Sequence, residues 1–404
     1  MKPLIRILLL AVLAALPALA ATPAHAAKHM EAATQDDGIF VYNEGIGREA
    51  ALRAARSMGI THLRLNVLWW QAVPLSQRNS ANVPANPAYN FSIWDAAIKR
   101  AKAYGITSQL DFAGDPPAYA CGNKRVPYEC DGYKPNVKLW KDFVGAAAAH
   151  FKGKVKRYSL WNEPNWYTWI SPHKKAPLIY RKLLQTGYKT IKKKNKKAEV
   201  VAGELAPHFQ KGISTPPLQF IREMVCVKKN LKPIKGAKRK CKGKLKFDAF
   251  ATHPYDFEHK PLKKRANKDE LTVANLPALT KLLGKLRKKG RITTKKKKFP
   301  IYLTEYGYMV GTNPAVRKER RFPEAKRAKW LVQAWQRAAD TPRIKQLLEF
   351  DFVSPPLSAP EGYFDMGLLT STGAPRQSFF SLRSWIQDAV AKGEVKSPGP
   401  CRAC

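Results

Sequence analysis

Apolar and polar positions along the chain follow two different periods, one typical of strands and one typical of helices. Segments of the two kinds alternate eight times. Short apolar or alternating runs predict strands, and longer segments with apolar residues three and four positions apart predict helices. The strands are predicted at 38–43, 62–69, 107–112, 155–161, 199–205, 247–252, 299–304 and 344–352. The helices are predicted at 48–58, 94–104, 137–151, 177–194, 217–227, 276–288, 324–339 and 378–390.

Eight strand-helix units in succession predict an α/β chain that folds as a single (β/α)8 TIM barrel. A doubly wound open sheet is the structural alternative, but no glycine-rich phosphate loop follows the first predicted strand. No second domain and no longer repeat are evident. In barrels of this type the active site forms at the carboxyl ends of the strands, so strand ends are where candidate chemistry is sought.

The first 26 residues have the pattern of a secretory signal peptide. Lys2 and Arg6 precede an apolar run, and Ala-His-Ala at 24–26 provides a small-residue cleavage site. An uncleaved membrane anchor is the alternative, but the apolar run is shorter than the roughly 20 residues that a span requires. The expected organisation is a signal peptide at 1–26, a catalytic barrel at 27–392 and a Pro/Gly-rich tail at 393–404, in a protein that is secreted or associated with the cell envelope.

Six cysteines follow this segment, and an even number in an exported chain indicates disulfides. Six cysteines allow 15 pairings. The pairing favoured here is sequential, because each bond then closes a short loop: Cys121–Cys130, Cys226–Cys241 and Cys401–Cys404. The Cys-x-x-Cys tail could instead be a redox or metal motif, although no adjoining β/α signal supports that interpretation.

Two predicted strands end in a glutamate. Glu163 follows the fourth strand and Glu305 lies at the end of the seventh. Retaining hydrolysis of an acetal needs one carboxyl group to protonate the leaving oxygen and a second to attack the anomeric carbon, about 5–5.5 Å away. Asn162 could donate to a sugar 2-hydroxyl. The alternative is that Asn-Glu-Pro is a simple turn and Glu305 an ordinary paired carboxylate.

The motifs around these glutamates resemble a known clan. Trp-Asn-Glu-Pro-Asn at 161–165 and Thr-Glu-Tyr-Gly at 304–307 are similar to the acid/base and nucleophile motifs of the retaining (β/α)8 glycosidases, which include family 5 cellulases and mannanases and family 39 xylosidase-like enzymes. The resemblance implies that Glu163 is the general acid/base and Glu305 the nucleophile.

Three further positions match the clan more weakly. The resemblance implies that Arg64 supports the nucleophile, that His253 binds sugar and that Tyr255 hydrogen-bonds the nucleophile. Arg64 as a structural ion-pair partner and His253 as a capping histidine are the alternatives. The chain departs from family 5 in having no histidine at 110–112, and from the clan in having no tryptophan at 350–352. These departures favour a family 39-like or unassigned member.

Aromatic residues are frequent after the predicted strands, where flat side chains could stack on sugar rings. Trp166 and Trp169, directly after the acid/base motif, are the first choice for a binding platform, with Trp69 and Tyr306 as further candidates. Glu204, at the end of the fifth strand, is a third candidate carboxylate. No metal-ligand spacing or nucleophile elbow is found, so we expect no metal and no cofactor.

The charge is strongly positive. The 404 residues contain 72 Lys+Arg and 30 Asp+Glu, a formal net charge of +42. Residues 211–300 alone carry 27 Lys+Arg against 6 Asp+Glu. The connections 192–197, 228–246 and 288–298 contain 20 of the 48 lysines. These connections lead from a helix into the next strand and therefore lie opposite the catalytic end. This pattern predicts a basic face that binds an anionic envelope polymer, with a plain solubility surface as the alternative.

The function predicted from the sequence is a secreted, retaining β-glycosidase that acts on a polysaccharide or oligosaccharide. The rival is a barrel that binds an envelope polysaccharide without cleaving it, although a pure binder has no need of two glutamates. Nucleic-acid binding rests on charge alone and conflicts with export. We expect a monomer that does not span a membrane.

Overall fold

Eight parallel strands close into one barrel in the computed structural model, which describes residues 29–80, 82–85, 87–122, 134–237, 241–356 and 364–404. Each strand pairs with its neighbours in chain order, and the first pairs with the last. The strands are β1 Glu31–Gln35, β2 His62–Leu68, β3 Thr107–Gly114, β4 Arg157–Leu160, β5 Glu199–Leu205, β6 Ala249–Thr252, β7 Ile301–Tyr306 and β8 Ile344–Phe350. The (β/α)8 barrel is confirmed, and the open sheet is excluded.

Eight helices follow the strands and cover the barrel. They are α1 Arg48–Met58, α2 Ser92–Ala103, α3 Val137–His150, α4 Ala176–Lys194, α5 Pro217–Met224, α6 Leu276–Lys288, α7 Glu324–Ala339 and α8 Gln377–Ala391. All eight were predicted within a few residues. Local chemistry explains the boundaries: Asn136 accepts hydrogen bonds from the first turn of α3, and Gly59, with φ of 95°, ends α1 in a left-handed conformation.

The predicted first strand is wrong. Residues Asp37–Phe40 form a short helical turn, and β1 lies upstream at Glu31–Gln35. The apolar run that suggested a strand is buried because this turn packs into the core, with Asp36 accepting a hydrogen bond from the Ile39 amide. The true strand, Glu-Ala-Ala-Thr-Gln, has little strand propensity of its own. It is fixed by pairing with β8 and β2 on its two sides.

The amino end of the barrel is closed by a buried polar cluster. Arg157 on β4 donates to Glu31 and to Gln109, each at 2.7 Å, and stacks on the Tyr302 ring at 3.9 Å. These residues come from four different strands, so the cluster ties the barrel together at the end opposite the candidate active site. The charged residues of this cluster are therefore distinct from those of the candidate active site at the carboxyl ends of the strands.

The carboxyl-terminal residues after α8 pack against the barrel. The Met30 and Lys396 amides bond across a parallel bridge between residues 30 and 395, and the Gly399 amide donates to the Gly105 carbonyl at 2.8 Å. Of the predicted disulfides, Cys226–Cys241 and Cys401–Cys404 are present. The predicted Cys121–Cys130 bond and the predicted signal peptide at 1–26 lie outside the described residues.

No helix among the described residues combines the length and the apolar character that a bilayer crossing requires.

Candidate active site

The acid/base candidate sits on a tightly held turn at the carboxyl end of β4. The Trp161 and Asn162 amides donate to carbonyls of β3, and the Glu163 amide donates to the Glu204 carbonyl on β5 at 2.9 Å. Trp161, Glu163 and Glu204 have positive φ values of 72°, 33° and 50°. Left-handed conformations at non-glycine residues cost energy and concentrate at functional sites. The turn directs Glu163 into the mouth of the barrel.

The loop after this turn is locked by Asn165, which is fully buried. Its side-chain nitrogen donates to the carbonyls of Ala206 and Thr215, and its oxygen accepts from the Ala206 amide. The second asparagine of the motif therefore has a structural role. It joins the loop after β4 to the loop after β5, and this junction fixes the position of Glu163.

The nucleophile candidate, Glu305 on β7, is held through both of its oxygens. Oε1 accepts from Arg64 Nη1 at 2.8 Å, and Oε2 accepts from the Tyr255 hydroxyl at 3.2 Å. Burial raises the pKa of Glu305, while His253 and Arg64 act in the opposite direction. Two donors on a carboxylate favour its ionised form, and they also fix the direction in which it can attack.

Arg64 is the centre of a buried hydrogen-bond network. Besides Glu305 it donates to Gln35, to Asp111 at 2.8 Å and to the Asn162 oxygen at 2.8 Å. The bond to Asn162 commits the amide oxygen, which leaves the amide nitrogen as the donor for a ligand. Burial raises the pKa of Asp111 to about 7 even though Arg64 lowers it. Arg64 thus connects strands β1, β2, β3, β4 and β7 at the catalytic end.

His253, at the end of β6, bridges two carboxylates. Its Nδ1 lies 2.8 Å from Glu163 Oε1, and its Nε2 lies 3.0 Å from Glu204 Oε2. Burial lowers the pKa of His253, but Glu305, Glu163 and Glu204 more than compensate and raise it to about 10. The imidazole is therefore charged at neutral pH and donates a proton from each ring nitrogen.

Glu204, the third candidate carboxylate, is completely buried and does not line the cavity. It accepts from Ser159, Thr304 and His253, and Arg64 lies 3.4 Å away. Burial raises its pKa, but Arg64 and His253 outweigh burial and lower it to about 2. It is a fixed negative charge behind His253. Its sequence position gave no sign of this, because the partners come from four other strands.

The two candidate catalytic carboxylates face each other at short range. An oxygen of Glu163, a ring nitrogen of His253 and an oxygen of Glu305 all lie within 4.8 Å of one another. Retaining glycosidases have carboxyl groups about 5–5.5 Å apart, whereas inverting enzymes need about 6.5–9.5 Å to admit a water molecule. An oxygen–oxygen approach of less than 4.8 Å is closer to the retaining separation than to the inverting one.

The same three residues are also the type of group that binds metals. In this geometry, however, both ring nitrogens of His253 are engaged as donors to carboxylates. A metal ligand must offer a neutral nitrogen lone pair, and the raised pKa of His253 works against one. The arrangement fits a hydrogen-bonded carboxylate pair better than a metal centre.

Glu163 and Glu305 open into a cavity of about 1290 Å³. This volume exceeds the 300–1,000 Å³ of pockets for drug-sized ligands, so it has room for several sugar rings. Four of the residues predicted to bind substrate, Asn162, Tyr255, Trp166 and Trp169, also line this cavity. Sequence reasoning missed Phe209, which lines the cavity with 48% of its surface exposed.

Two predicted substrate contacts lie elsewhere. Trp69 is fully buried and stacks on Phe143 at 5.4 Å, and Tyr306 is fully buried beside Tyr255 and Tyr308. Neither lines the cavity. Their positions at strand ends suggested the rim, but both rings are buried among other aromatic side chains, so their placement does not support a direct substrate contact. Arg64 and His253, both fully buried, act on the site through Glu305 and Glu163.

Carboxylates that the sequence did not single out line the side of the cavity formed by β1 and β8. Burial raises the pKa of Asp36 to about 7 and that of Asp37 to about 6, and it raises that of Asp351 well above its usual range. Among the residues that the structure describes, eight acidic residues and three arginines line the cavity, and none of the described lysines does. The site is acidic within a strongly basic chain.

The sequence matches no protein-family model and no curated protein. The fold, by contrast, is similar to that of many solved structures. Residues covering 89% of the chain match 63% of a family 39 glycoside hydrolase from Bacteroides cellulosilyticus, with a TM-score of 0.60 and 17% identity. A family 39 β-xylosidase from Caulobacter crescentus matches with a TM-score of 0.57 and 14% identity, over 89% of this chain and 72% of that one.

A family 1 β-glucosidase from Thermotoga maritima is similar as well, with a TM-score of 0.55 and 13% identity over 86% of each chain. At this level of identity the likeness establishes the fold: a single (β/α)8 barrel of the type found in glycoside hydrolases of families 39 and 1. The chain spans less than two thirds of the Bacteroides enzyme.

Proposed function

We propose that the protein is a retaining β-glycosidase that hydrolyses O-glycosidic bonds in a polysaccharide or oligosaccharide. The observation that carries the proposal is the approach of Glu163 and Glu305 to within 4.8 Å at the carboxyl ends of β4 and β7. The barrel shared with family 39 and family 1 glycoside hydrolases supports it. We propose further that the enzyme is secreted, on the basis of its amino-terminal sequence.

In the first step, Glu163 protonates the leaving glycosidic oxygen while Glu305 attacks the anomeric carbon and forms a covalent glycosyl-enzyme. Arg64 and Tyr255 each donate to Glu305, so the attacking oxygen is oriented before substrate arrives. In the second step, Glu163 removes a proton from water, which attacks the same carbon and releases the sugar and Glu305. Two inversions restore the original configuration.

His253 assists both steps through Glu163. Its charged imidazole lies 2.8 Å from Glu163 and stabilises the carboxylate that forms when Glu163 gives up its proton. Glu204 on the other side holds the imidazole in its charged form and in one orientation. Trp166 and Trp169, half-buried on the cavity wall, offer apolar faces for neighbouring sugar rings.

The test is hydrolysis of a panel of β-linked glycans and activated aryl β-glycosides. Glu163→Gln should lower activity by about 10²–10⁴-fold or more, since a positioned acid or base typically contributes that much. Glu305→Gln should abolish hydrolysis, because no nucleophile remains to form the glycosyl-enzyme. Azide should rescue Glu163→Ala on an activated substrate and yield a β-glycosyl azide. The matched control is Glu319→Gln, an exposed glutamate that does not line the cavity.

The stereochemistry of the first product separates the mechanisms. Proton NMR during the reaction should show the β-anomer first, as double displacement requires. An α-anomer as the first product contradicts the retaining assignment. Binding of glycans without turnover by the wild type, unchanged in both Gln variants, would favour a non-catalytic binding barrel instead.

A further inference from the structure

The end of the barrel opposite the cavity carries an unneutralised surface of lysines. We define the lysine face as the described residues of the three connections that enter β5, β6 and β7. These residues are 192–197, 228–237 with 241–246, and 288–298. They contain four, seven and six exposed lysines among their described residues, and their sequences contain no Asp or Glu. The exposed lysines are Lys193, Lys194, Lys196, Lys197, Lys228, Lys229, Lys232, Lys235, Lys242, Lys244, Lys246, Lys288, Lys289, Lys295, Lys296, Lys297 and Lys298.

The lysines of this face are almost free of acidic partners. Among the described residues of the three segments, the ion pairs within 4.0 Å comprise a single contact, between Lys192 and Asp248. Mutual repulsion of so many unpaired charges disfavours the compact state unless counterions or a ligand neutralise them. A plain solubility surface interleaves both signs of charge, and this face does not.

The three segments are built into one rigid surface. A short parallel pair, Leu245–Lys246 with Ile292–Thr293, joins the second segment to the third. The Cys226–Cys241 disulfide closes the base of the second segment. These two links hold the described residues of the second segment against the third.

Buried polar groups anchor the same surface from below. Arg181 on α4, only 2% exposed, donates to the carbonyls of Met224, Lys242 and Gly243. Asp248, two residues after the second segment, accepts from the Val200 amide and pairs with Lys192 of the first segment. A buried arginine used to hold a loop of lysines indicates that the shape of the loop matters as well as its charge.

The composition of the face selects among anionic partners. Its exposed cations are lysines, which act as point charges toward phosphate or carboxylate, whereas arginine is the residue suited to bidentate recognition. The three segments contain no aromatic residue, and Phe247 and Phe299, which directly follow two of them, are buried against each other. The described part of the face therefore offers no platform for stacking nucleic-acid bases. The acidic cavity at the other end of the barrel repels the same partners.

We propose that the lysine face is a second binding surface, which holds an anionic polymer with phosphate or carboxylate groups along its length, such as a cell-envelope glycopolymer. The bound polymer lies at the amino end of the barrel and leaves the cavity at the carboxyl end open to its own substrate. This proposal does not depend on the glycosidase assignment, because the face and the cavity share no residues.

The experiment compares two variants with the same loss of four charges. The face variant replaces Lys295, Lys296, Lys297 and Lys298 by Gln. The control variant replaces Lys260, Lys263, Lys264 and Lys268 by Gln, which are exposed lysines on the loop after β6 at the catalytic end, outside the cavity lining. Binding of polyphosphate, polygalacturonate, neutral dextran and duplex DNA is measured from 50 to 300 mM NaCl, with the unfolding temperature of each protein recorded.

The wild type should bind polyphosphate or polygalacturonate, and not dextran, with an affinity that falls steeply with salt. A flexible polyanion releases about 0.7 counterions per neutralised charge, so the face variant should lower the salt slope by about 3 and weaken binding at 50 mM at least tenfold. The control variant should stay within about twofold of the wild type. A preference for polyphosphate identifies phosphate as the recognised group, and a preference for polygalacturonate identifies carboxylate.

Three outcomes would overturn the proposal. They are equal losses in the two variants, which would reduce the effect to net charge; no salt-dependent binding of either polymer at 50 mM; and a tenfold or greater preference for DNA. The face variant should also hydrolyse a short neutral substrate, if one is found, at the wild-type rate.

Discussion

Replacement of Arg64 by Met tests the electrostatic organisation of the site most directly. Methionine replaces the aliphatic stem of arginine but has no guanidinium group, so the variant removes the cation from Glu305, Asp111 and Glu204 and leaves their carboxyl groups buried. Loss of one partner from a buried ion pair costs about 3–5 kcal/mol. We expect the free energy of unfolding to fall by at least this amount, measured by urea denaturation at pH 7.

The same variant should alter the pH dependence of activity. A charge-assisted hydrogen bond contributes about 1.5–3 kcal/mol, and one pKa unit corresponds to about 1.36 kcal/mol. Because Arg64 stabilises the ionised form of Glu305, its removal should raise the pKa of this carboxyl group by about 1–2 units. The acidic limb of kcat/KM, which reports the free enzyme, should therefore move to higher pH by that amount.

Two further variants distinguish the effect of the Arg64 charge on the pH profile from a general loss of stability. Arg64→Lys keeps the positive charge and should shift the acidic limb by less than about half a unit, since the Coulomb attraction persists although the forked hydrogen bonds are lost. Arg181→Met removes another buried arginine, whose partners are backbone carbonyls. It should lower stability without moving the limb. An unshifted limb in an active Arg64→Met enzyme would refute the electrostatic role of Arg64.

Two more predictions follow from single residues. Glu349 is fully buried, and burial raises its pKa to about 8, so its carboxyl group stays protonated in the folded protein while it ionises near pH 4.5 in the unfolded chain. The free energy of unfolding should therefore fall as the pH rises from about 4.5 to 8. The unfolding temperature should decline less between pH 5 and 8 in Glu349→Gln than in the wild type, and parallel curves would contradict the raised pKa. Trp166→Ala should raise KM for an oligosaccharide about tenfold, as expected from the loss of roughly 1.5 kcal/mol of aromatic contact. The control, Trp166→Phe, keeps an aromatic ring and should keep much of the affinity. Equal KM values in the wild type and both variants would show that Trp166 does not contact the substrate.

The repeat of strands and helices was readable from the sequence because burial on one face imposes a period on each element. β1 is the exception. β1 contains Glu31, two alanines and Gln35, and it lacks the β-branched pattern of the other strands. Its identity as a strand comes from the hydrogen bonds of β2 and β8 at the closure of the barrel, which no local pattern records.

The candidate catalytic pair was also accessible from the sequence, because each glutamate follows an apolar strand and the barrel brings all strand ends to one rim. The supporting residues were less accessible. Glu204 looked like a possible rim carboxylate, whereas its partners bury it behind His253. Trp69 and Tyr306 looked like rim aromatics, whereas they pack in the core.

The sequence by itself determined the number and order of the β/α units, the two glutamates at strand ends and the location of the lysine-rich connections, because each of these depends on local period or on chain order. Only the tertiary structure decided which oxygen faces which donor. The 4.8 Å cluster of Glu163, His253 and Glu305 joins residues from three strands, and the acidic wall of Asp36, Asp37 and Asp351 joins the two ends of the chain. Distances and burial between such remote residues arise from barrel closure, and they set the protonation states on which the proposed chemistry depends.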